Sequence, residues 1–247
     1  DYIKTARESM VQTSGLWEDT IARSGRWVDF QGAYKTMDKD YMESVWWAFK
    51  QLYEKGKIYE GERVLMYDTK WATPLSKAEV TMDAGAYQVV TDPSVYVKFK
   101  LVDEEASLLA WTTTPWTLPG NTAVAVNTSV DYVEVRVGDE RLILAEELVG
   151  KVMTDEKHMA VDYEVLRHLS GKELVGRRYV PLFGDRGENA HCVWSADYVT
   201  TDSGTGIVHL APAYGEEDFI LARKMQTPVV HVLDEYGAYT ETEWKGL

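Results

Sequence analysis

The sequence has little cysteine, little positive charge and no long apolar run. One cysteine, Cys192, stands among 247 residues, so the chain cannot form an internal disulfide. That fits a reducing compartment, and the cytoplasm is the expected location. No run of about 18 apolar residues occurs, so no segment is expected to span a membrane. There is no basic-then-apolar leader, which argues against a signal peptide. Asp1 rather than Met stands first, as expected of a fragment or a processed chain. Lys and Arg total 26 against 40 Asp and Glu, a net charge of −14. Broad sliding along nucleic acid needs Lys and Arg on the phosphates, so it is excluded; a pocket for one nucleotide end is not. The five histidines (158, 168, 191, 209 and 231) show no metal-ligand spacing with cysteines or carboxylates, and no metal is expected. Neither a G-x-S-x-G elbow nor a Walker loop is present.

What is there begins with 45% hydrophobic residues, enough for one large domain or one domain with an appendage. Residues 1 to about 60 read as helical. In "DYMESVWWAFKQLYEKG", Tyr41, Met42, Val45, Trp46, Phe49, Leu52 and Tyr53 fall on one helical face. Asp40 and Glu43 look like its start and Gly56 its stop. The stripe of Trp46, Trp47 and Phe49 reads as a packing face. "RVLMYD" (63–68) reads as a short strand. From about residue 89 the period changes to two. "SVYVKFKLV" (94–102) alternates, with Val95, Val97, Phe99 and Leu101 sharing a face. "LLAW" (108–111), "AVAV" (123–126), "YVEVRV" (132–137), "RLILA" (141–145), "HCVW" (191–194) and "GIVHLA" (206–211) are further strands, separated by turn residues. In "HMAVDYEVLRHLSGKELVG" (158–176) a helix is expected near Tyr163 to Leu169. "GEEDFILARKMQ" (215–226) reads as a helix with acids in its first turn. No repeat and no low-complexity segment occurs. Many short strands with turns suggest a barrel or sandwich after a helical lead-in.

Two stretches carry candidate chemistry. The first is "LLAWTTTPWTLPGNTAVAV" (108–126). Pro115 cannot donate to a ladder and pushes Thr114 toward extended backbone, so a strand ends there. Alternation puts Thr112 and Thr114 on one face and Thr113 on the other. Hydroxyls and amides freed at a strand end can bind a ligand or position a water; threonines are also simply good strand residues. The second is "SGTGIVHLAPAYGEEDF" (203–219). Gly204-Thr205-Gly206 is no dinucleotide fingerprint, because His209 occupies the third glycine position; it reads as a tight turn into a strand. His209 ends that strand, and Asp218 follows nine residues later at a helix start. Both could face one cleft. Taken alone, His209 also fits a half-buried histidine and Asp218 an N-terminal helix acid. Cys192 sits in an apolar run and reads as core.

"WTTTPWTLPGNTAVAV" and "GTGIVHLAPAYGEEDF" together resemble the two signature segments of the editing domain of isoleucyl-tRNA synthetases, class I enzymes. "GRWVDFQGAYKTMDKDYMESVWWAFKQLYEKGKIYEG" resembles the part of such enzymes just before that insertion. The valyl and leucyl relatives tend to carry Thr-Thr-Arg-Pro, whereas Thr114 stands here in place of the arginine. The His-Ile-Gly-His and Lys-Met-Ser-Lys-Ser signatures of aminoacylation do not occur. The chain is therefore expected to hold the proofreading module without the activating one. The resemblance implies an α+β fold: a β-barrel editing domain decorated with helices (93–247), a linker or ribbon (73–92), and a mainly helical segment of the catalytic domain (1–72).

The resemblance also implies an activity: hydrolysis of the ester that joins valine to the 3′ end of isoleucine tRNA. A hydrophobic pocket separates isoleucine from valine poorly, since one methylene carries little energy; that pair is the familiar example of the limit. A second site then accepts valine and bars isoleucine. Asp218 would hold the α-ammonium group of the substrate. His209 would line the side-chain pocket and bar the larger residue. Thr112, Thr113 and Thr114 would contact the terminal adenosine, the scissile carbonyl and the attacking water. Asn121 matches a family position near the pocket, and Trp111 and Tyr214 would form its walls. No cofactor is expected for editing; ATP serves only the missing aminoacylation domain. The partners implied are the valine-bearing end of isoleucine tRNA and the remainder of the synthetase. Two alternatives stay open, a non-catalytic acceptor-end binding module and a valyl-type editing domain acting on threonine.

Overall fold

The computed structural model describes residues 1–81, 85–154 and 159–247. His158, the start of the ambiguous 158–176 stretch, and residues 82–84 of the expected linker lie outside the described residues. The chain divides into two compact units, Asp1–Gly61 and Glu62–Leu247.

The first unit is helical, with α1 (Tyr2–Arg23) and α2 (Lys39–Glu54). Helix α2 begins two residues before the expected start. Asp38, in extended backbone, precedes it, and Asp40 falls in the first turn, where its charge suits the helix dipole. The stop at Gly56 is a left-handed turn with φ +65°. There the Gly56 N–H bonds the Tyr53 carbonyl at 2.9 Å and the Lys57 N–H bonds the Leu52 carbonyl at 3.0 Å. The apolar stripe of α2 buries nothing: Trp46 is 73% exposed and Phe49 56%.

The second unit opens with β1 (Tyr67–Asp68) paired to β2 (Thr73–Pro74). Of the strand expected over 63–68, the ladder covers this tip, and one further bond runs from the Leu75 N–H to the Met66 carbonyl at 2.8 Å. Eight further strands follow: β3 (Val95–Lys100), β4 (Ser107–Thr112), β5 (Ala123–Val126), β6 (Asp131–Val137), β7 (Glu140–Ala145), β8 (Glu164–Ser170), β9 (Cys192–Ser195) and β10 (Ile207–Leu210). They form a five-stranded sheet, β3-β4-β7-β6-β8, and a three-stranded sheet, β10-β5-β9. Pairing is antiparallel except at β4–β7 and β5–β9. Residues 176–180 stitch the sheets together. Val180 N–H bonds the Lys100 carbonyl at 2.7 Å on one side, and Tyr179 N–H bonds the His191 carbonyl at 3.1 Å on the other. At the opposite margin, Ala145 N–H bonds the Thr205 carbonyl at 2.8 Å, and the Tyr132 hydroxyl donates to the Gly206 carbonyl at 2.8 Å.

The closed sheets enclose one core, to which Phe99, Leu108, Val124, Ile143, Val193 and Ile207 contribute. Each such side chain, fully buried, contributes roughly 1.5–3 kcal/mol. Strand β5 reads Ala-Val-Ala-Val because it is buried on both faces. Val124 and Val126 fill the inner core, while Ala123 and Ala125 lie in an outer cluster with Leu221 of α5 (Glu216–Met225). The small residues let α5 approach the sheet. Over the other sheet, α3 (Val149–Val152) covers Leu109, Val133 and Leu144. One carboxylate, Glu134, is fully buried in that sheet. Burial works to raise its pKa, but bonds from Arg141 and Arg167 outweigh that and hold it below the usual carboxylate range.

The segment read as a helix near Tyr163–Leu169 is strand β8, paired antiparallel to β6. Arg167 pairs with Glu134 and Val165 with Val135, so Leu166 is an extra residue at a bulge. The bulge breaks the two-residue alternation, which is why Val165, Leu166 and Leu169 mimic a helical face. The helix that follows, α4 (Gly171–Leu174), is one turn with a capping box between Ser170 and Glu173. Gly171 is required there, because a Cβ would sit 2.1 Å from the Asn127 carbonyl oxygen.

Candidate functional site

The threonine run ends β4. Thr112 is its last residue, and Thr113 and Thr114 leave the ladder. Pro115, with its φ already fixed, opens a 3-10 helix over Pro115–Gly120. The expected shared face of Thr112 and Thr114 is present. Their hydroxyl oxygens are 3.2 Å apart, and the Thr112 hydroxyl also accepts the Thr114 N–H at 3.0 Å. Thr113 points elsewhere and is exposed. The glycine turn of the second segment is tight: Gly206 has φ +71°, and a Cβ there would meet the Ala145 methyl at 2.5 Å.

A cleft of about 240 Å³ opens at this junction. Its lining comes from Trp111, Thr112 and Thr113, from the 203–208 turn and strand, and from Tyr198 and Thr200. A larger hollow of about 480 Å³ beside Asp103, Arg177 and Arg178 lies away from both motifs; Arg177 is already paired with Asp103 and Glu104, and Arg178 is bonded to the carbonyls of Glu188 and Ala190. Chemistry rather than size therefore selects the smaller cleft.

His209 and Asn121 sit in the wall next to the cleft rather than in its lining. His209 is 8% exposed, and burial depresses its pKa to about 4, so it is neutral near pH 7. Its tautomer follows from its neighbours. The single Thr117 hydroxyl proton is given to the Thr114 carbonyl at 2.8 Å, so the Thr117 oxygen accepts from His209 Nε2 at 2.9 Å. On the other side of the ring, Asn121 Nδ2 bonds the carbonyls of Ala123 at 2.8 Å and Leu210 at 3.3 Å, which fixes it as the donor end. Those two carbonyls take both amide hydrogens, so the 3.4 Å approach of Nδ2 to His209 Nδ1 is a shared contact rather than a bond of its own. The Thr117 side sets an Nε2-protonated imidazole, with Nδ1 facing the Asn121 amide. The amide oxygen of Asn121 accepts the buried Tyr179 hydroxyl at 2.6 Å. His209 is thus a buried neutral side chain, kept uncharged near pH 7 by desolvation.

Asp218 begins α5 together with Glu216 and Glu217. It differs from them in burial, which raises its pKa. Its Oδ2 accepts the N–H of Ala211 at 2.9 Å. That N–H belongs to the second residue beyond His209, so the carboxylate is tied to the end of β10. Tyr214 is placed apart from the cleft. Its ring meets Trp116 edge-on, with centroids 5.4 Å apart, and its hydroxyl accepts the N–H groups of Val232 at 2.8 Å and Leu233 at 3.2 Å. It pins the C-terminal stretch to the 3-10 helix. Among the described residues, no three His, Cys, Asp or Glu side chains lie close enough to hold a metal ion.

With this geometry in place, the sequence can be set beside known proteins. It matches the class I tRNA synthetase family (I, L, M and V) over residues 1–239. The chain belongs to the class I tRNA synthetases. It is 45% identical to the isoleucine–tRNA ligase of Mycobacterium leprae over 97% of this chain and 23% of that protein. It is 42% identical to that of Clostridium tetani over 100% of this chain and 24% of that protein. The chain thus spans about a quarter of the length of the curated relatives it matches. A likeness extends to the editing domain of Plasmodium falciparum cytosolic leucyl-tRNA synthetase. The TM-score is 0.46 at 12% identity, over 59% of this chain and 73% of that one. The corresponding Plasmodium knowlesi domain gives a TM-score of 0.42 at 16% identity, over 54% and 64%. These structural likenesses are too distant to bear on the site.

Within this family member, three side chains belong to the site that the sequence did not single out. Thr117 was hidden in the "WTLPG" stretch; its signal is its position three residues after Thr114, one turn of the helix that Pro115 starts. Tyr179 reaches Asn121 from 58 residues away and Tyr198 reaches the cleft from another strand end, so neither had a local signal.

Proposed function

We propose that this chain carries the proofreading module of an isoleucine–tRNA ligase, with residues 93–247 as the editing domain. On this reading it hydrolyses the ester that joins valine to the terminal adenosine of isoleucine tRNA. The observation that carries the reading is the buried, neutral His209, bonded to Thr117 and next in the chain to Val208, which lines the cleft of Thr112 and Thr113. A buried, uncharged side chain suits size exclusion, and isoleucine differs from valine only in size. Water adds to the ester carbonyl carbon, the bond to the ribose oxygen breaks, and valine and the free ribose hydroxyl leave. Thr112, Thr113 and Thr114 supply hydroxyls and amides for the adenosine, the carbonyl oxygen and the water. Asp218 receives the substrate ammonium, and Trp111 walls the cleft. An aminoacyl ester is reactive already, so positioning and hydrogen bonds suffice without a nucleophile, metal or cofactor.

The remainder of the synthetase, cytoplasmic and ATP-using, supplies aminoacylation and most of the tRNA grip. The exposed face of α2 suits packing against that remainder. The net charge of −14 makes tRNA capture by this chain alone weak; a nanomolar dissociation constant at physiological salt would contradict this. The deciding experiment charges isoleucine tRNA with valine or with isoleucine and incubates each with the chain at high concentration. Release of valine only, lost in Asp218→Ala, supports the reading. Equal release of both amino acids removes it. Binding of the charged end without release would make the chain a docking module instead.

A further inference from the structure

Among the described residues, one buried polar atom of the cleft-lining side chains has no hydrogen-bond partner of full geometry: the hydroxyl of Tyr198. Its ring packs with the cluster that includes Ala123, Leu210 and Leu221, beneath α5. Its edge reaches the cleft of Trp111, Thr112 and Thr113. The Asp218 carboxylate lies beside the hydroxyl, close enough that each alters the proton affinity of the other. The one hydrogen bond that Asp218 accepts at full geometry comes from the Ala211 N–H to Oδ2. A carboxylate held through a single oxygen can still swing about its last bond, and a buried hydroxyl without a partner is costly. A small turn of the carboxylate toward the phenol oxygen answers both.

We infer that Tyr198 is a positioning residue for Asp218: its hydroxyl donates to the carboxylate and fixes its orientation. The inference rests on the reading of Asp218 as the seat of the substrate ammonium. Burial raises the pKa of the phenol, so it keeps its proton and can only donate to a carboxylate. Two titratable groups act on Asp218, Glu217 on the same helix and Tyr198 from the segment after β9. Glu217 and burial push the Asp218 pKa up. The Ala211 N–H and the Tyr198 O–H favour the charged form that an ammonium needs.

The test uses the full chain, wild type and Tyr198→Phe, and two probes. The first is adenosine carrying valine through an amide, which cannot be hydrolysed as an ester. The second is its counterpart lacking the amino group. Two quantities are read: the pH titration of the Asp218 carboxyl carbon by NMR, and the affinity for each probe by calorimetry. In Tyr198→Phe the Asp218 titration should move up by about one pH unit, as expected on losing a hydrogen bond to a charged group. Affinity for the amino-bearing probe should fall about three- to tenfold, with the other probe unchanged. A tyrosine analogue with ring fluorines beside the hydroxyl, placed at position 198 alone, keeps the ring packing and strengthens the donor. It should move Asp218 the other way, which covers the case of a poorly folded phenylalanine variant. An Asp218 titration identical in all three proteins overturns the inference, whatever the chain does. A shifted titration with no wild-type preference for the amino-bearing probe leaves the Tyr198 contact standing and removes the ammonium seat.

Discussion

The two units of this chain answer the same kind of sequence pattern in opposite ways. Helix α2 carries a regular apolar face and buries none of it. The strands of the second unit carry shorter apolar runs, and Val124, Ile143 and Leu144 among them are fully buried. The difference is closure. Strands β3 to β10 bond to one another through the 176–180 stitch and the β7–β10 margin, so each apolar face meets another within the same unit. Periodicity thus marks which face wants cover; whether the chain itself supplies that cover is a separate question.

That contrast can be broken or sharpened by mutation. The largest effect is expected from Gly171→Ala, where the added methyl has no room beside the Asn127 carbonyl and neither backbone can yield. A loss of about 3 kcal/mol in urea unfolding of the second unit is expected; a change below about 0.5 kcal/mol would mean the closure there is loose. A comparable effect should appear with pH. His209 is neutral in the folded chain down to about pH 4, while in the unfolded chain it takes a proton near its ordinary value of 6.5. Its contribution is therefore complete above pH 6.5 and is lost as the pH falls toward 4, roughly 3 kcal/mol in all. Asp218, with its pKa raised by burial, works in the opposite direction. His209→Gln should flatten the histidine part of the profile in melts across that window. Next comes Tyr179→Phe, which strands the Asn121 amide oxygen. It should cost about 1–2 kcal/mol in urea unfolding. It should also weaken discrimination between valine and isoleucine in the deacylation assay, because Asn121 no longer holds the His209 wall. The smallest effect is expected on α2: Trp46→Gln should change the stability of this chain by less than about 0.5 kcal/mol. A larger loss would show that the α2 face is covered within the chain after all.

Local patterns made several elements legible. The α2 stripe, the alternation of β3 and the acidic first turn of α5 all follow from spacing, because backbone geometry alone sets those periods. The strand end at the threonine run was readable too, since Pro115 removes a donor and restricts its predecessor. Strand β8 was misread because its bulge at Leu166 is set by pairing to β6, and pairing leaves no trace in a single strand's sequence. The 63–68 strand is shorter than expected for the same reason, its pairing beginning only at Met66.

The sequence by itself determined the family, the two motif segments and the residue types available at the cleft: hydroxyls at 112–114, an imidazole at 209, a carboxylate at 218. Only the tertiary structure decided what state those groups are in. His209 is neutral, with its proton on Nε2, because Thr117 and Asn121 approach it from separate stretches of chain. Asp218 stands apart from Glu216 and Glu217 because it alone is turned to the Ala211 N–H and the Tyr198 ring. Protonation and tautomer depend on desolvation and on hydrogen bonds between residues distant in sequence, and those exist only once the sheets have closed.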